Sequence, residues 1–211
     1  MNLKIKILLT AFDPFGDDDI NSALETMLRL PDEFTGMELI KLQIPTVFSD
    51  SSQAVIEAIH KHQPDVVVML GMAGGRPAIT PERVAINLDD ANIKDNAGFQ
   101  PIDQPIAAGG PAAYFSKLPV QEMVTAMRAG GIPASISNTA GTFVCNHLMY
   151  SVLDHICNHQ LDIIAGFIHL PYLPEQVAFR PGIASMSMDK LVEGIEICLH
   201  VISQSVQHTQ Q

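Results

Sequence analysis

The 211-residue chain is short of several things that would assign it elsewhere. It has few cations, 12 Lys plus Arg against 23 Asp plus Glu for a net charge of −11. A duplex-binding surface needs clustered cations to displace counterions, so nucleic acid is excluded as the expected partner. Long apolar runs are missing too. Val66–Leu70 is typical and far too short to span a bilayer. The N-terminal run Met1–Thr10 meets polar residues too early for the apolar part of a secretion signal and offers no small-residue cleavage site. Cysteines number three (Cys145, Cys157 and Cys198), with no C-x-x-C, which argues against a disulfide framework and a structural zinc site. The sequence also lacks linker-like runs, internal repeats, G-x-G-x-x-G, a P-loop ending, G-x-S-x-G and H-E-x-x-H. A cytoplasmic globular protein is expected.

What is present is apolar and periodic. Hydrophobic residues make up 47% and charged residues 17%, enough for a core and too little charge for disorder. Lys4–Thr10, Glu38–Ile44, Val66–Gly71, Ala134–Asn138 and Leu161–Leu170 read as strands, several apolar at nearly every position, as strands covered on both faces should be. Helical spacing predicts helices over Asn21–Leu30, Ser51–His62 (with Ser49 or Asp50 as cap), Val120–Ala129, Asn146–His159 and Asp189–Ile202. Such alternation predicts an α/β fold: one domain over residues 1–211, a mostly parallel sheet with helices on both faces, and a polar tail from about residue 203 to 211.

The stretch from Gly71 to Pro119 breaks the rhythm with repeated Gly and Pro, and only Arg83–Asn87 reads as a strand. A segment this long and irregular is a functional loop system, and it leaves the Val66–Leu70 strand at the carboxyl end, where open α/β sheets bind ligands. Gly71–Arg76 superficially resembles a phosphate loop, but the defining motifs are missing.

Cys145 joins an apolar strand to a helix, near whose first turn unpaired N–H groups and the helix dipole favour a thiolate and could hold an oxyanion. A buried structural cysteine is the competing reading. Cys157 and Cys198 fall within helical patterns and read as structural. A nucleophilic cysteine needs a base. Of the eight histidines, His169 alone follows an apolar run and precedes a turn-forming proline, Pro171. His147, His155 and His159 read as a polar helix face rather than a metal site. For a carboxylate to orient the imidazole, Glu82 stands just before the short Arg83–Asn87 strand, with Asp89, Asp90, Asp95 and Asp103 as open rivals.

Four segments in order then resemble one family. They are Thr10–Gly16 with Asn21, Gly74–Asn87, Asn138–Asn146 and Gly166–Gln176. The sequence resembles the type I pyroglutamyl peptidases, a family of cysteine peptidases, over essentially the whole chain. The resemblance implies removal of an N-terminal pyroglutamyl residue from peptides, without metal or cofactor, by Glu82, Cys145 and His169. It further implies one α/β/α domain with a mixed central sheet, often a homotetramer. An apolar lactam pocket would be formed by Phe12, Phe15, Phe143 and Val144, with Ile93 nearby. A pyroglutamyl ring carries no ammonium, so backbone groups suffice for it, whereas a charged N-terminus would lose hydration there without a partner. Ala11, Met72 and Asn92 depart from the family's usual Gly, Gln and Arg. Oxyanion stabilisation would rest on the Cys145 N–H and on Asn92. The rival to a peptidase is a weak or inactive relative that binds pyroglutamyl peptides.

Overall fold

The computed structural model describes residues 4–34 and 36–209. In chain order the elements are β1 (Ile5–Phe12), α1 (Ser22–Arg29), β2 (Glu33–Phe34), β3 (Met37–Ile44), α2 (Phe48–His62) and β4 (Val66–Met72). There follow β5 (Thr80–Pro81), β6 (Val84–Ile86), β7 (Ala113–Phe115), α3 (Val120–Ala129) and α4 (Val144–Asn158). The chain closes with β8 (Ile164–Leu170), α5 (Pro174–Val177) and α6 (Met188–Thr209).

Six strands form one sheet in the order β2-β3-β1-β4-β8-β5. The inner four are parallel, and the two-residue strands β2 and β5 close the edges antiparallel. Alternation along the strands sorts the core into two layers. Ile7, Leu9, Val66, Val68, Leu70 and Ile168 meet α1, α3 and α6; Leu8, Phe12, Val67, Met69 and Phe167 meet α2 and α4. Each such side chain, fully buried, contributes about 1.5–3 kcal/mol relative to exposure. The alternation continues to the strand ends. Gly71 therefore shares the α4 face with Met69, and His169 shares it with Phe167.

Three sequence expectations change. Residues 134–138 run parallel to 79–83, with Ser135 N on Ile79 O at 3.1 Å and Ser137 N on Pro81 O at 3.0 Å, but make only isolated bridges instead of a strand. Pro81 has no N–H to give to the intervening carbonyl of Ser135, so the ladder is interrupted. The expected polar tail is helical through Thr209, because Val206 (5% exposed) extends the buried stripe of Leu199 and Ile202; residues 210 and 211 lie outside the described residues. Helix α2 starts at Phe48 without a side-chain cap from Ser49 or Asp50. Its Phe48 N–H donates instead to Asp95 Oδ2 at 3.2 Å, a carboxylate from the irregular segment. By contrast, Asn21 caps α1, accepting from Ala23 N at 3.0 Å.

The segment between β6 and α3 is fixed by side chains acting as backbone partners. Asn87 exchanges hydrogen bonds with both the N–H (2.9 Å) and the carbonyl (2.8 Å) of Ala107. Asn146, fully buried in the first turn of α4, accepts from Ile86 N and donates to the carbonyls of Ile86 and Leu88, each at 2.9 Å. The irregular segment is thereby bolted to the helix that carries Cys145.

Candidate active site

The carboxyl ends of β4 and β8 bring together Cys145, His169 and Glu82. His169 is the sixth residue of β8 and pairs in register with Gly71 of β4. Glu82 follows β5, and its N–H donates to Phe167 O at 2.9 Å, which sets its side chain beside the imidazole. Glu82 is fully buried and His169 4% exposed, and Glu82 Oε1 accepts from His169 Nδ1 at 2.7 Å. That bond leaves Nε2 as the free nitrogen of a neutral ring.

Cys145 is the second residue of α4 and half-buried. A Cβ on Gly71 would come within 3.1 Å of its Sγ, and within 2.7 and 2.9 Å of the Phe167 ring. The sulfur thus lies in the space that Gly71 leaves empty, directly beside the strand position of His169. The Phe167 ring packs against the imidazole, tilted by 49° with centroids 4.7 Å apart. Gly71 is the residue the sequence reading passed over: it reads there as the start of a loop, and nothing in the sequence says that a sulfur from position 145 will need its missing side chain.

Electrostatics correct one expectation. Burial pushes the Cys145 thiol up to about 12, helped by the Glu82 charge, against the opposing pulls of Arg76 and the Cys145 N–H. Desolvation outweighs the helix terminus and favours the neutral thiol of Cys145. Burial also lowers His169, despite the hydrogen bond and charge of Glu82, and Arg76 lowers it further. Burial would raise Glu82, but His169, Ser137 and Arg76 hold it below its ordinary value of 4.5. These shifts favour a neutral thiol and a neutral imidazole beside an ionised carboxylate.

The rival carboxylates have other employment or none. Asp89 bonds His147 Nδ1 at 2.8 Å, Asp95 caps α2 and also accepts from Ala97 N and Phe99 N, and Asp90, which accepts from Asp103 N at 3.3 Å, is exposed, as is Asp103. Of the expected pocket residues, Phe15 and Phe143 are half-buried with rings 6.1 Å apart, and Phe143 packs edge-on against Phe48 at 5.4 Å. Phe12 and Val144 are 1% exposed and lie in the core beneath, while Ile93 is 47% exposed. Asn92 is exposed and makes no hydrogen bond among the described residues. His155 and His159 stack at 4.1 Å with His60 edge-on at 5.0 Å, and no group of three or more ligating side chains suited to a metal ion occurs among the described residues.

A thiol, an imidazole and a carboxylate at the carboxyl edge of a parallel sheet define a cysteine-type hydrolase on an α/β scaffold. Comparison with known proteins narrows that class. The pyroglutamyl peptidase family model matches residues 5–205, and the chain belongs to this family of cysteine peptidases. It is 53% identical over 199 residues to the pyrrolidone-carboxylate peptidase of Thermoanaerobacter pseudethanolicus, covering 94% of this chain and 98% of that protein. The crystal structure of pyroglutamyl peptidase I from Bacillus amyloliquefaciens superimposes with a TM-score of 0.92 at 46% identity, covering 95% of each chain. A variant pyrrolidone carboxyl peptidase from Pyrococcus furiosus gives 0.91 at 34% identity, covering 95% of this chain and 99% of that one.

Proposed function

We propose that Cys145, His169 and Glu82 perform the family's reaction, hydrolysis of the bond after an N-terminal pyroglutamyl residue. Close homology gives the chain the activity that removes N-terminal pyroglutamate. The observation that carries the assignment of residues is the buried Glu82–His169 pair at 2.7 Å, with the Cys145 sulfur seated over Gly71 beside it. As Sγ attacks the pyroglutamyl carbonyl, its proton passes to His169 Nε2, and Glu82 orients the ring and stabilises the imidazolium. Collapse of the tetrahedral intermediate breaks the C–N bond, and the proton moves from His169 to the leaving amine. Water, deprotonated by the same imidazole, then attacks the thioester; the C–S bond breaks, the proton returns from His169 to the sulfur, and pyroglutamate is released.

The developing oxyanion falls to the Cys145 N–H at the start of α4, with Asn92 as a second, neutral donor once substrate is bound. The lactam lies against Phe15 and Phe143, with Ile93 at the rim and Phe12 and Val144 as the floor. Three free cysteines, one of them the nucleophile, suit a reducing compartment, so the cytoplasm is the proposed location. The family resemblance supports a homotetramer and peptides bearing N-terminal pyroglutamate as partners; among the described residues no helix is long and apolar enough to cross a membrane. Chromogenic anilides with and without the pyroglutamyl group test the activity. Turnover of the pyroglutamyl substrate alone supports it, and tight binding without turnover would instead make the protein a binder.

A further inference from the structure

Glu82 is held by more than its histidine. Arg76, in the loop between β4 and β5, donates from Nη1 to Glu82 Oε1 at 2.6 Å, the same oxygen that accepts from His169 Nδ1 at 2.7 Å. Nη1 also reaches the Thr80 hydroxyl at 2.6 Å, and Nη2 donates to the Thr139 carbonyl at 3.1 Å. Thr139 belongs to the loop that delivers Cys145, and its hydroxyl accepts from Gly141 N at 3.1 Å. One guanidinium thus touches the carboxylate, the strand that carries the carboxylate, and the approach to the nucleophile. Its side chain is 28% exposed, at the margin of a site whose other charged members are buried.

We propose that Arg76 is a positioning residue of this site, locking Glu82 and the nucleophile loop into one frame and offsetting the carboxylate charge that His169 faces. The proposal rests on the catalytic reading of Cys145, His169 and Glu82. A buried carboxylate 2.7 Å from an imidazole favours the imidazolium. An imidazole already protonated at rest cannot accept the thiol proton. A cation on the same oxygen cancels part of that field, yet leaves the carboxylate to orient Nδ1–H and to stabilise the imidazolium formed during attack. The charged and titratable groups facing His169 are Glu82 from the end of β5, Arg76 from its loop and Cys145 from α4. Arg76 acts on Glu82 through a direct hydrogen bond, and on Cys145 both through Thr139 and through its charge. A lysine could supply the charge, but its single ammonium lacks the rigid fork that spans Glu82 and Thr139.

The test uses Arg76→Met, Arg76→Gln and Arg76→Lys, each checked for folding by circular dichroism. Two pH profiles are measured, kcat/KM on a pyroglutamyl anilide and the rate of Cys145 alkylation by iodoacetamide. In Arg76→Met and Arg76→Gln the acid limb of both profiles is expected to move to higher pH by on the order of one unit, with kcat reduced and KM little changed. Arg76→Lys is expected to keep the limb near its original pH while still losing kcat. If Arg76→Met does not fold, Arg76→Gln, which retains a hydrogen-bond donor, carries the charge test. An acid limb that stays in place without the charge, or that shifts equally in Arg76→Lys, overturns the proposal. Alkylation needs no peptide substrate, so a limb that moves in a protein without peptidase turnover would support Arg76 and sink the peptidase reading alone.

Discussion

A thiol that stays protonated at rest depends on its base at the moment of attack. Cys145→Ser keeps the shape but raises the barrier to proton removal, and kcat is expected to fall on the order of 10³-fold or more with the fold intact. His169→Ala should cost about 10²–10⁴-fold, the usual worth of a general base. Glu82→Gln should cost less than His169→Ala, because the imidazole remains and only its orientation and charge stabilisation suffer. Steady-state kinetics on one pyroglutamyl anilide ranks the three, and a silent Glu82→Gln would remove Glu82 from the assignment. Asn92 belongs to this scale as well. A guanidinium at position 92 would offer the oxyanion a charge-assisted donor, roughly twice as strong as a neutral amide. Asn92→Arg is expected to raise kcat with little change in KM; a gain confined to KM would show that the position does not face the oxyanion.

Strand β4 makes room for the Cys145 sulfur by what it omits at its end. Gly71→Ala would place a methyl group 2.7 Å from the Phe167 ring and 3.1 Å from the Cys145 sulfur. Overpacking of this kind costs about 1–3 kcal/mol. Because the sulfur is one of the two groups that must give way, kcat should fall tenfold or more with a modest loss in Tm. The iodoacetamide labelling rate of Cys145 separates the two effects: a lower melting temperature with unchanged labelling would mean that only the core was strained. Helix α2 depends on a distant loop in a comparable way. Asp95, 5% exposed, accepts from the N–H groups of Phe48, Ala97 and Phe99. Asp95→Ala leaves the buried Phe48 N–H unpaired at about 1–3 kcal/mol, and a lowered urea midpoint would register it.

For the molecule as a whole, the groups that titrate at and below pH 6.5 act in one direction. His155 is lowered by burial and by its neighbours His159 and His60, and His169 is lowered by burial, both from an ordinary value of 6.5. In the window below 6.5 the unfolded chain binds these protons first, so their contribution to stability is present above 6.5 and is lost as pH falls toward the folded values. Glu82, held below 4.5, adds a second loss as pH falls beneath that value. Thermal melts from pH 7.5 down to pH 5 are expected to show a falling Tm beginning near 6.5. His155→Gln should flatten that slope, and an unchanged slope would show that the stack of His60, His155 and His159 does not sense pH.

The strands and helices were legible in the sequence because their information is local. Continuous apolar runs such as Val66–Leu70 identify strands covered on both sides, and spacing and caps such as Asn21 identify helices. Cys145 and His169 were legible as candidates for the same reason, one at a strand-to-helix junction and one at the end of an apolar run. Glu82 could be singled out but not separated by chemistry alone from four nearby aspartates, since sequence distance does not say which carboxylate a β8 histidine will meet; the family resemblance chose it. The edge pairing of Thr80 and Pro81 with β8 sets Glu82 against the imidazole, while Asp89 and Asp95 are drawn off by His147 and α2. The helix terminus favours a thiolate at Cys145 while burial raises its pKa, because a dipole is a property of one helix and desolvation a property of everything packed around it. The sequence by itself determined the α/β elements, the family and the chemical types available. Only the tertiary structure decided that Gly71 makes room for the sulfur, that Arg76 shares an oxygen with His169, and that burial raises the Cys145 thiol, because each depends on which groups the fold packs within about 3 Å of one another.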